Sequence, residues 1–356
     1  MITQGRMWLA VFLLVAWSSA LAQPVAKPYR AWWNEQNAGK SLDSPSGRKL
    51  PMLSVKGNKI VDTTGRPVLL RGVAISDPDK VEHQGHWTKE HFQKVKDFGA
   101  MVVRIPVHPV AWRSRTPEHY LTLLDQAVQW CTELDMYVMI DWHTIGNLKM
   151  ELFQDPMYVT TKAETFEFWR TIARHYRNNN TVAFYELFNE PTLYHGQLGR
   201  MSWTEWKELN EDMIAVIRAH DQETIPLVAG LDWAYDLTPL LVEPVEAEGI
   251  AYVTHPYPHK RTPPFEPKWE ENFGFAAGRF PVLATELGFT LGTEGMADNG
   301  DYGRAIISYL ESKDIGWVAW VYDPEWYPSL FRSWKTYTLT ESGEFFRAAL
   351  KAPLPK

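Results

Sequence analysis

Two glutamates in this chain stand where chemistry could be done. Glu190 follows the apolar run 182–188 within Asn189-Glu190-Pro191, and Glu286 follows the apolar run 280–285 just before Leu287-Gly288. A buried strand has no use for a carboxylate, because burying one without a partner is costly. Two carboxyls that face each other across a cleft are the minimal equipment for cutting a glycosidic bond. One, protonated, donates to the leaving oxygen, and the other, ionised, attacks the anomeric carbon. Proximity divides these roles, since one ionised carboxylate keeps its neighbour protonated.

Other polar residues recur at the ends of apolar runs. They are Arg104 and His108, then Asp141, Trp142 and His143, then Asp232 and Trp233, then His255 and Tyr257, and finally Trp320, Tyr322 and Asp323. One such residue could be a structural ion pair, but so many at corresponding ends point to a lined cleft. Asp141, His143, His255 and His259 invite a metal reading. No His-x-His or His-Glu-x-x-His spacing supports it, so neither a metal nor another cofactor is expected.

These residues need a frame that brings strand ends together. Short apolar runs at 68–75, 101–107, 137–142, 182–188, 226–231, 250–255, 280–285 and 315–321 read as eight buried strands. Helical spacing falls between and after them at 88–98 (Thr88 as N-cap), 117–134, 162–176, 203–219, around 269–277, 302–312 and 341–349. A shorter helical stretch is expected up to about Glu246. Gly57-Asn58 between 52–55 and 59–61 predicts a hairpin. The alternation predicts an α/β chain folded as a single (β/α)8 TIM barrel with an N-terminal β-hairpin, its chemistry at the C-terminal ends of the strands. An open doubly wound sheet is the rival, but its G-x-G-x-x-G turn is missing.

The chain has 356 residues, 45% hydrophobic and 22% charged, with a formal net charge of −7. That balance belongs to a globular chain and makes nucleic acid a poor partner, since phosphate backbones demand basic patches. The single Cys131 excludes an intrachain disulfide and falls on a helical stretch, where it reads as core. A core can absorb many of the 17 Trp, 15 Tyr and 16 Phe, but this many tryptophans also suits a protein that stacks on flat ligands. Trp130, Trp169 and Trp206 fall on helical stretches and read as packing. Trp87, Trp112, Trp142, Trp233 and Trp326 fall in expected loops, each either a sugar platform or packing.

At the N-terminus, Arg6, an apolar run from Trp8 to Trp17 and Ala20-Leu21-Ala22 describe a secretory signal peptide over residues 1–22. The run is shorter than the roughly 20 residues that span a bilayer, and no later stretch is a transmembrane candidate. Residues 23–50 read as an extended leader and 51–356 as the barrel.

Taken together, the motifs resemble glycoside hydrolase family 5, the large cellulase family. Leu187-Phe188-Asn189-Glu190-Pro191 and Thr285-Glu286-Leu287-Gly288 carry most of the resemblance. Gly65-Arg66-Pro67 leading to Arg71-Gly72, Arg104-Ile105-Pro106, Asp141-Trp142-His143, His255-Pro256-Tyr257 and Trp320 extend it in order. The resemblance implies Glu190 as acid/base and Glu286 as nucleophile of a retaining hydrolase. It also implies that Asn189 bonds the sugar 2-hydroxyl and that Arg104 and Tyr257 hold Glu286. His143 and His255 would position the acid/base side and the glycone, and Trp320 would lie under the cleaved sugar. The family often has Asn soon after the first-strand Gly, whereas here Gly72 is followed by Val73-Ala74-Ile75-Ser76-Asp77.

The expected activity is endo-β-1,4-glucanase, with a β-linked polysaccharide or oligosaccharide as partner. β-Mannan, xylan and mixed-linkage glucan fit the same machinery. A non-catalytic carbohydrate-binding barrel is the rival from another class, and a metal-dependent amidohydrolase would need first-strand histidines that 68–75 does not contain. The sequence leaves the oligomeric state open.

Overall fold

The structure is a computed structural model, and it describes residues 49–291 and 300–354. The expected signal peptide and nearly all of the leader lie outside the described residues. No helix among the described residues is long and apolar enough to cross a membrane.

The described chain opens with a hairpin, in which β1 (Ser54–Lys56) pairs antiparallel with β2 (Lys59–Val61). Gly57 turns it at φ +59°, a conformation that a residue without Cβ adopts freely. In chain order the other strands are β3 (Arg71–Ile75), β4 (Val102–Val107), β5 (Tyr137–Trp142), β6 (Ile145–Asn147) and β7 (Leu152–Phe153). Then follow β8 (Val182–Glu186), β9 (Glu190–Pro191), β10 (Ile225–Ala229), β11 (Ala251–Val253), β12 (Val282–Leu287) and β13 (Gly316–Tyr322). The order β10-β11-β12-β13-β3-β4-β5-β8 closes on itself as a parallel barrel, the (β/α)8 fold expected. Every residue of those eight strands is buried, which is why they read as continuous apolar runs.

The period of two sends alternate residues to two cores. Ala74, Val102, Met139, Phe184, Leu227 and Val318 belong to the cluster inside the barrel. Val73, Val103, Ile140, Tyr185, Val228 and Trp317 belong to the cluster under the helices. The helices follow their local signals. Lys89–Phe98 starts where the Thr88 hydroxyl accepts from the His91 N–H, buries Phe92, Val95 and Phe98 on one face, and stops at Gly99 with φ +119°. Trp203–Arg218 opens with a full Ser202/Glu205 capping box.

Two expectations are corrected. The helical stretch after the fifth strand is only Leu231–Ala234, with left-handed residues inside it, and a 3₁₀ turn at Thr238–Leu241. Leu231 and Asp236 exchange backbone hydrogen bonds there, which closes a tight turn instead of propagating a helix. The helix around 269–277 begins earlier, at Phe265–Asn272, and ends in a 3₁₀ turn. Two short helices, Pro78–His83 and Pro109–Arg115, carry Pro in their first turn and are too short to show a period. The small sheet β7-β6-β9 was also not expected. It pairs Ile145 with Glu190 and Gly146 with Pro191, tying the loops after β5 and β8 together.

Candidate active site

Both glutamates stand at the C-terminal face. Glu190 begins β9, just past the end of β8, where its N–H donates to the Thr144 carbonyl at 3.1 Å. Glu286 lies near the end of β12, where the register with β13 slips between Ala284 and Leu287. Such irregularities re-aim side chains next to active sites. One carboxylate oxygen from each glutamate and one ring nitrogen of His255 all lie within 4.8 Å of one another. The two glutamates border a cleft of about 970 Å³ that Asn189, His143, Trp320 and Tyr257 also line.

Arg104 organises the floor. Its side chain points into the barrel from β4, and it is wholly buried. Nε and Nη2 donate to Glu186 at 2.7 and 3.1 Å, Nη1 to Glu286 at 3.1 Å and Nη2 to the Asn189 Oδ1 at 2.6 Å. Nη2 also lies 3.0 Å from Asp141. Burial opposes its charge, but Asp141, Glu186 and Glu286 outweigh burial and hold it above its ordinary value. Because Asn189 spends its oxygen on Arg104, its amide N–H groups are left for the cleft.

Each glutamate has its own donors. Glu286 accepts from Arg104 and from the Tyr257 hydroxyl at 2.6 Å. Burial pushes Glu286 above the usual carboxylate value of 4.5, and nearby Glu190 adds to this, while His255, Arg104 and the Tyr257 hydroxyl pull it back. Glu190 meets His255 Nδ1 at 3.1 Å. On the far side of that ring, Thr285 gives its only hydroxyl proton to Glu186 at 2.8 Å, so it must accept from His255 Nε2 at 3.1 Å. His255 Nε2 is therefore a donor, and a charged ring donates to Glu190 from Nδ1 as well. Burial works against that charge, but Glu286, Glu186 and Glu190 overcome it and lift His255 to about 9. Burial would likewise raise Glu186, yet Arg104 and His255 bring it down to about 2.

His143 meets Asp141 through Nδ1 at 2.6 Å and stacks on Trp320 with ring centroids 5.6 Å apart and planes 6° apart. Burial pushes Asp141 up against the pull of Arg104, and burial, with His108, Arg104 and His255, pushes His143 well down. Trp320 also stacks on Trp326 at 5.7 Å.

All eight residues singled out in the sequence thus converge on one site. Several neighbours do not. His108 is turned to Asp77 at 2.9 Å, behind His143. Tyr322 packs under the helices against Phe98 and Phe331, and Asp323 is occupied by Ser76, Lys80 and two backbone N–H groups. Three tryptophans considered as sugar platforms are packing. Trp87 lies on Phe92, and Trp112 rests on Phe168. Trp142 takes the outward-facing positions of β5 and gives its N–H to Thr165. Trp233 does line the cleft. Asp141, His143, His255 and His259 do not come together as a ligand set among the described residues.

Sequence reasoning missed Glu186, the carboxylate that Arg104 grips. Its signal was present, a charged residue inside the apolar run 182–188, the same anomaly that singled out Glu190. Gln154, Tyr158 and Lys260 also line the cleft, from irregular segments with no periodicity to reveal them.

Comparison with known proteins agrees with this geometry. The family model described as cellulase (glycosyl hydrolase family 5) matches residues 61–325. A β-glucanase from Saccharophagus degradans, whose crystal structure is in complex with cellotetraose, superposes with a TM-score of 0.84. It is 43% identical, over 87% of this chain and 96% of its own. Among curated relatives, endoglucanase A of Butyrivibrio fibrisolvens is 30% identical over 58% of this chain and 45% of its own length. Endoglucanase E-5 of Thermobifida fusca is 25% identical over 84% and 64%. The chain thus spans about half to two thirds of the length of these curated relatives.

Proposed function

The chain belongs to glycosyl hydrolase family 5, and from that premise we propose that it is a retaining endo-β-1,4-glucanase. The observation that carries the proposal is the closeness of Glu190 and Glu286, with oxygens within 4.8 Å across the cleft. Inverting pairs stand about 6.5–9.5 Å apart to admit a water between them, and retaining pairs about 5–5.5 Å.

In the first step, a Glu286 oxygen forms a bond to the anomeric carbon as the bond from that carbon to the leaving oxygen breaks. Glu190 gives that oxygen its proton. In the second, Glu190 takes a proton from water, the water oxygen bonds to the anomeric carbon, and the ester to Glu286 breaks. Two donors on Glu286 favour its carboxylate form, which suits the attacking group. Asn189, with its N–H groups free for the cleft, serves the 2-hydroxyl. His255 steadies Glu190, and Trp320, propped by His143 and Trp326, underlies the cleaved sugar. Trp233 supplies an aromatic face at the other end of the cleft.

A β-1,4-glucan is the favoured substrate because the Saccharophagus relative is seen with cellotetraose. That relative is named a β-glucanase, which favours mixed-linkage glucan as the second substrate. We further read residues 1–22 as a signal peptide, 23–50 as a leader and 51–356 as the catalytic barrel of an exported enzyme.

Reducing-end release from carboxymethylcellulose, mixed-linkage glucan, mannan and xylan tests the reading, with Glu286→Gln as control. Release on the glucans that the variant lacks, with the β-anomer formed first by NMR, is expected. Release chiefly from mannan or xylan would overturn the substrate. An α-anomer formed first would overturn the mechanism.

A further inference from the structure

Three consecutive residues after β10, namely Asp232, Trp233 and Ala234, have φ of +58°, +55° and +57°. Left-handed backbone is disfavoured for any residue with a Cβ, and a run of three persists only where its surroundings over-determine it. The turn is pinned from several sides. Ala234 O accepts from the His255 N–H at 2.9 Å. Trp233 Nε1 donates to Gln154 Oε1 at 2.9 Å, in the loop that follows β7. The third pin is Lys260. Its ammonium donates to the Asp232 carbonyl at 2.6 Å and sits 4.7 Å from the centre of the Trp233 ring. Only 8% of the Lys260 side chain is exposed, so it is packed against the turn and not waving in solvent.

The location gives this clamp a meaning. Trp233 lines the cleft at the end of β10, and β10 neighbours β8, which leads into Glu190. Trp320 lies across the barrel, at the end of β13. The group that protonates the leaving oxygen must touch the leaving sugar. That sugar therefore extends from Glu190 toward β10, while the retained part lies over Trp320. Lys260 also belongs to the turn Pro258–Lys260, which directly follows Tyr257, a donor to Glu286.

We propose that Lys260 is a positioning residue that clamps the left-handed turn Asp232–Ala234 and so sets Trp233 as the wall receiving the leaving-group sugar of a β-1,4-glucan. The proposal rests on the glucanase reading above. It requires Lys260 to act through Trp233, not on the sugar or the carboxyls.

The test compares two substrates on the full-length protein. Cellopentaose fills both sides of the cleft. β-Cellobiosyl fluoride leaves as fluoride and puts no sugar against Trp233. Lys260→Met is expected to lower kcat/KM on cellopentaose about tenfold, chiefly through KM, and on the fluoride less than twofold. Trp233→Ala should match it, the double variant should be no worse than Trp233→Ala, and Lys260→Arg should restore most of the loss. Trp233→Gly keeps Lys260 and relieves one left-handed residue. It should keep or raise Tm while losing cellopentaose activity like Trp233→Ala. Equal losses on both substrates, additive losses in the double variant, or an unchanged Lys260→Met or Trp233→Gly on cellopentaose would overturn the proposal alone. A wild type that turns over neither substrate would overturn the glucanase reading, and this proposal with it.

Discussion

Arg104 grips Glu186 with two parallel hydrogen bonds, 2.7 Å from Nε and 3.1 Å from Nη2, where both side chains are wholly buried. The fork fixes the guanidinium plane, and the remaining donors then reach Glu286 and Asn189. Glu186 is wholly buried and does not line the cleft. It is an anchor that aims Arg104, which in turn holds Glu286, the proposed nucleophile.

Arg104→Lys should therefore cost both stability and rate. A lysine cannot make the fork, and it leaves buried carboxylates partly unpaired, for which about 3–5 kcal/mol is typical. Thermal unfolding should show a Tm drop of several degrees, and kcat should fall far more than KM changes. A Tm equal to wild type would sink the anchoring argument.

The two glutamates should separate by leaving group. Glu286→Gln should be inactive on every substrate. Glu190→Gln should lose about 10²–10⁴ in kcat on cello-oligosaccharides, whose leaving oxygen needs a proton. It should still react with 2,4-dinitrophenyl β-cellobioside and accumulate glycosyl-enzyme, seen as a mass increase of the intact protein. Equal loss on both substrates would argue against Glu190 as the acid.

Two pH limits follow. In the proposed mechanism attack needs Glu286 ionised, and burial raises it above 4.5, so the rate should fall on the acid side at a pH above that value. Tyr257→Phe removes a donor that pulls Glu286 down, and should move this limb to higher pH. His255 is raised from 6.5 to about 9 by folding, against the burial that opposes it. Its stabilising share is complete below pH 6.5 and lost as pH climbs through about 9. Glu186, brought down from 4.5 to about 2, contributes above 4.5 and loses its share only as pH falls toward 2. Tm should accordingly decline between pH 7 and 10, and His255→Gln should flatten that decline.

Gly146 should not tolerate a side chain. A Cβ there would meet the Leu152 carbonyl oxygen at 2.5 Å and the Phe153 Cα at 2.8 Å, both backbone. Gly146 pairs with Pro191, next to Glu190. Gly146→Ala should lower kcat along with Tm, whereas an alanine at Gly278, where nothing lies within 4 Å, should change neither.

Chelators should leave the rate unchanged. Glu190, His255 and Glu286 could approach a cation, but His255 already bonds Glu190 and Thr285 through its two nitrogens. Dialysis against EDTA followed by a cellopentaose assay checks this, and a loss restored by a divalent metal would reopen the metal reading.

Much of this was legible in the chain itself. A barrel strand is buried on both faces, so its apolar run announces it, and a polar residue at its end can only face the mouth or find a partner. That reasoning reached Glu190, Glu286, Arg104, His143, Asn189, His255, Tyr257 and Trp320 without coordinates, and the family motifs assigned them expected roles. It was less able to see side-chain parity. Trp142 and Asp141 are adjacent, yet one faces Phe168 under the helices and the other Arg104 inside the barrel. The tertiary structure alone decided which distant groups meet. Arg104 and Glu186, His255 and Glu190, and Lys260 and Trp233 are brought together by closure of the barrel and the order of its strands, not by any local spacing. Local propensity is written residue by residue, but a hydrogen bond between two strands exists only once the sheet has closed.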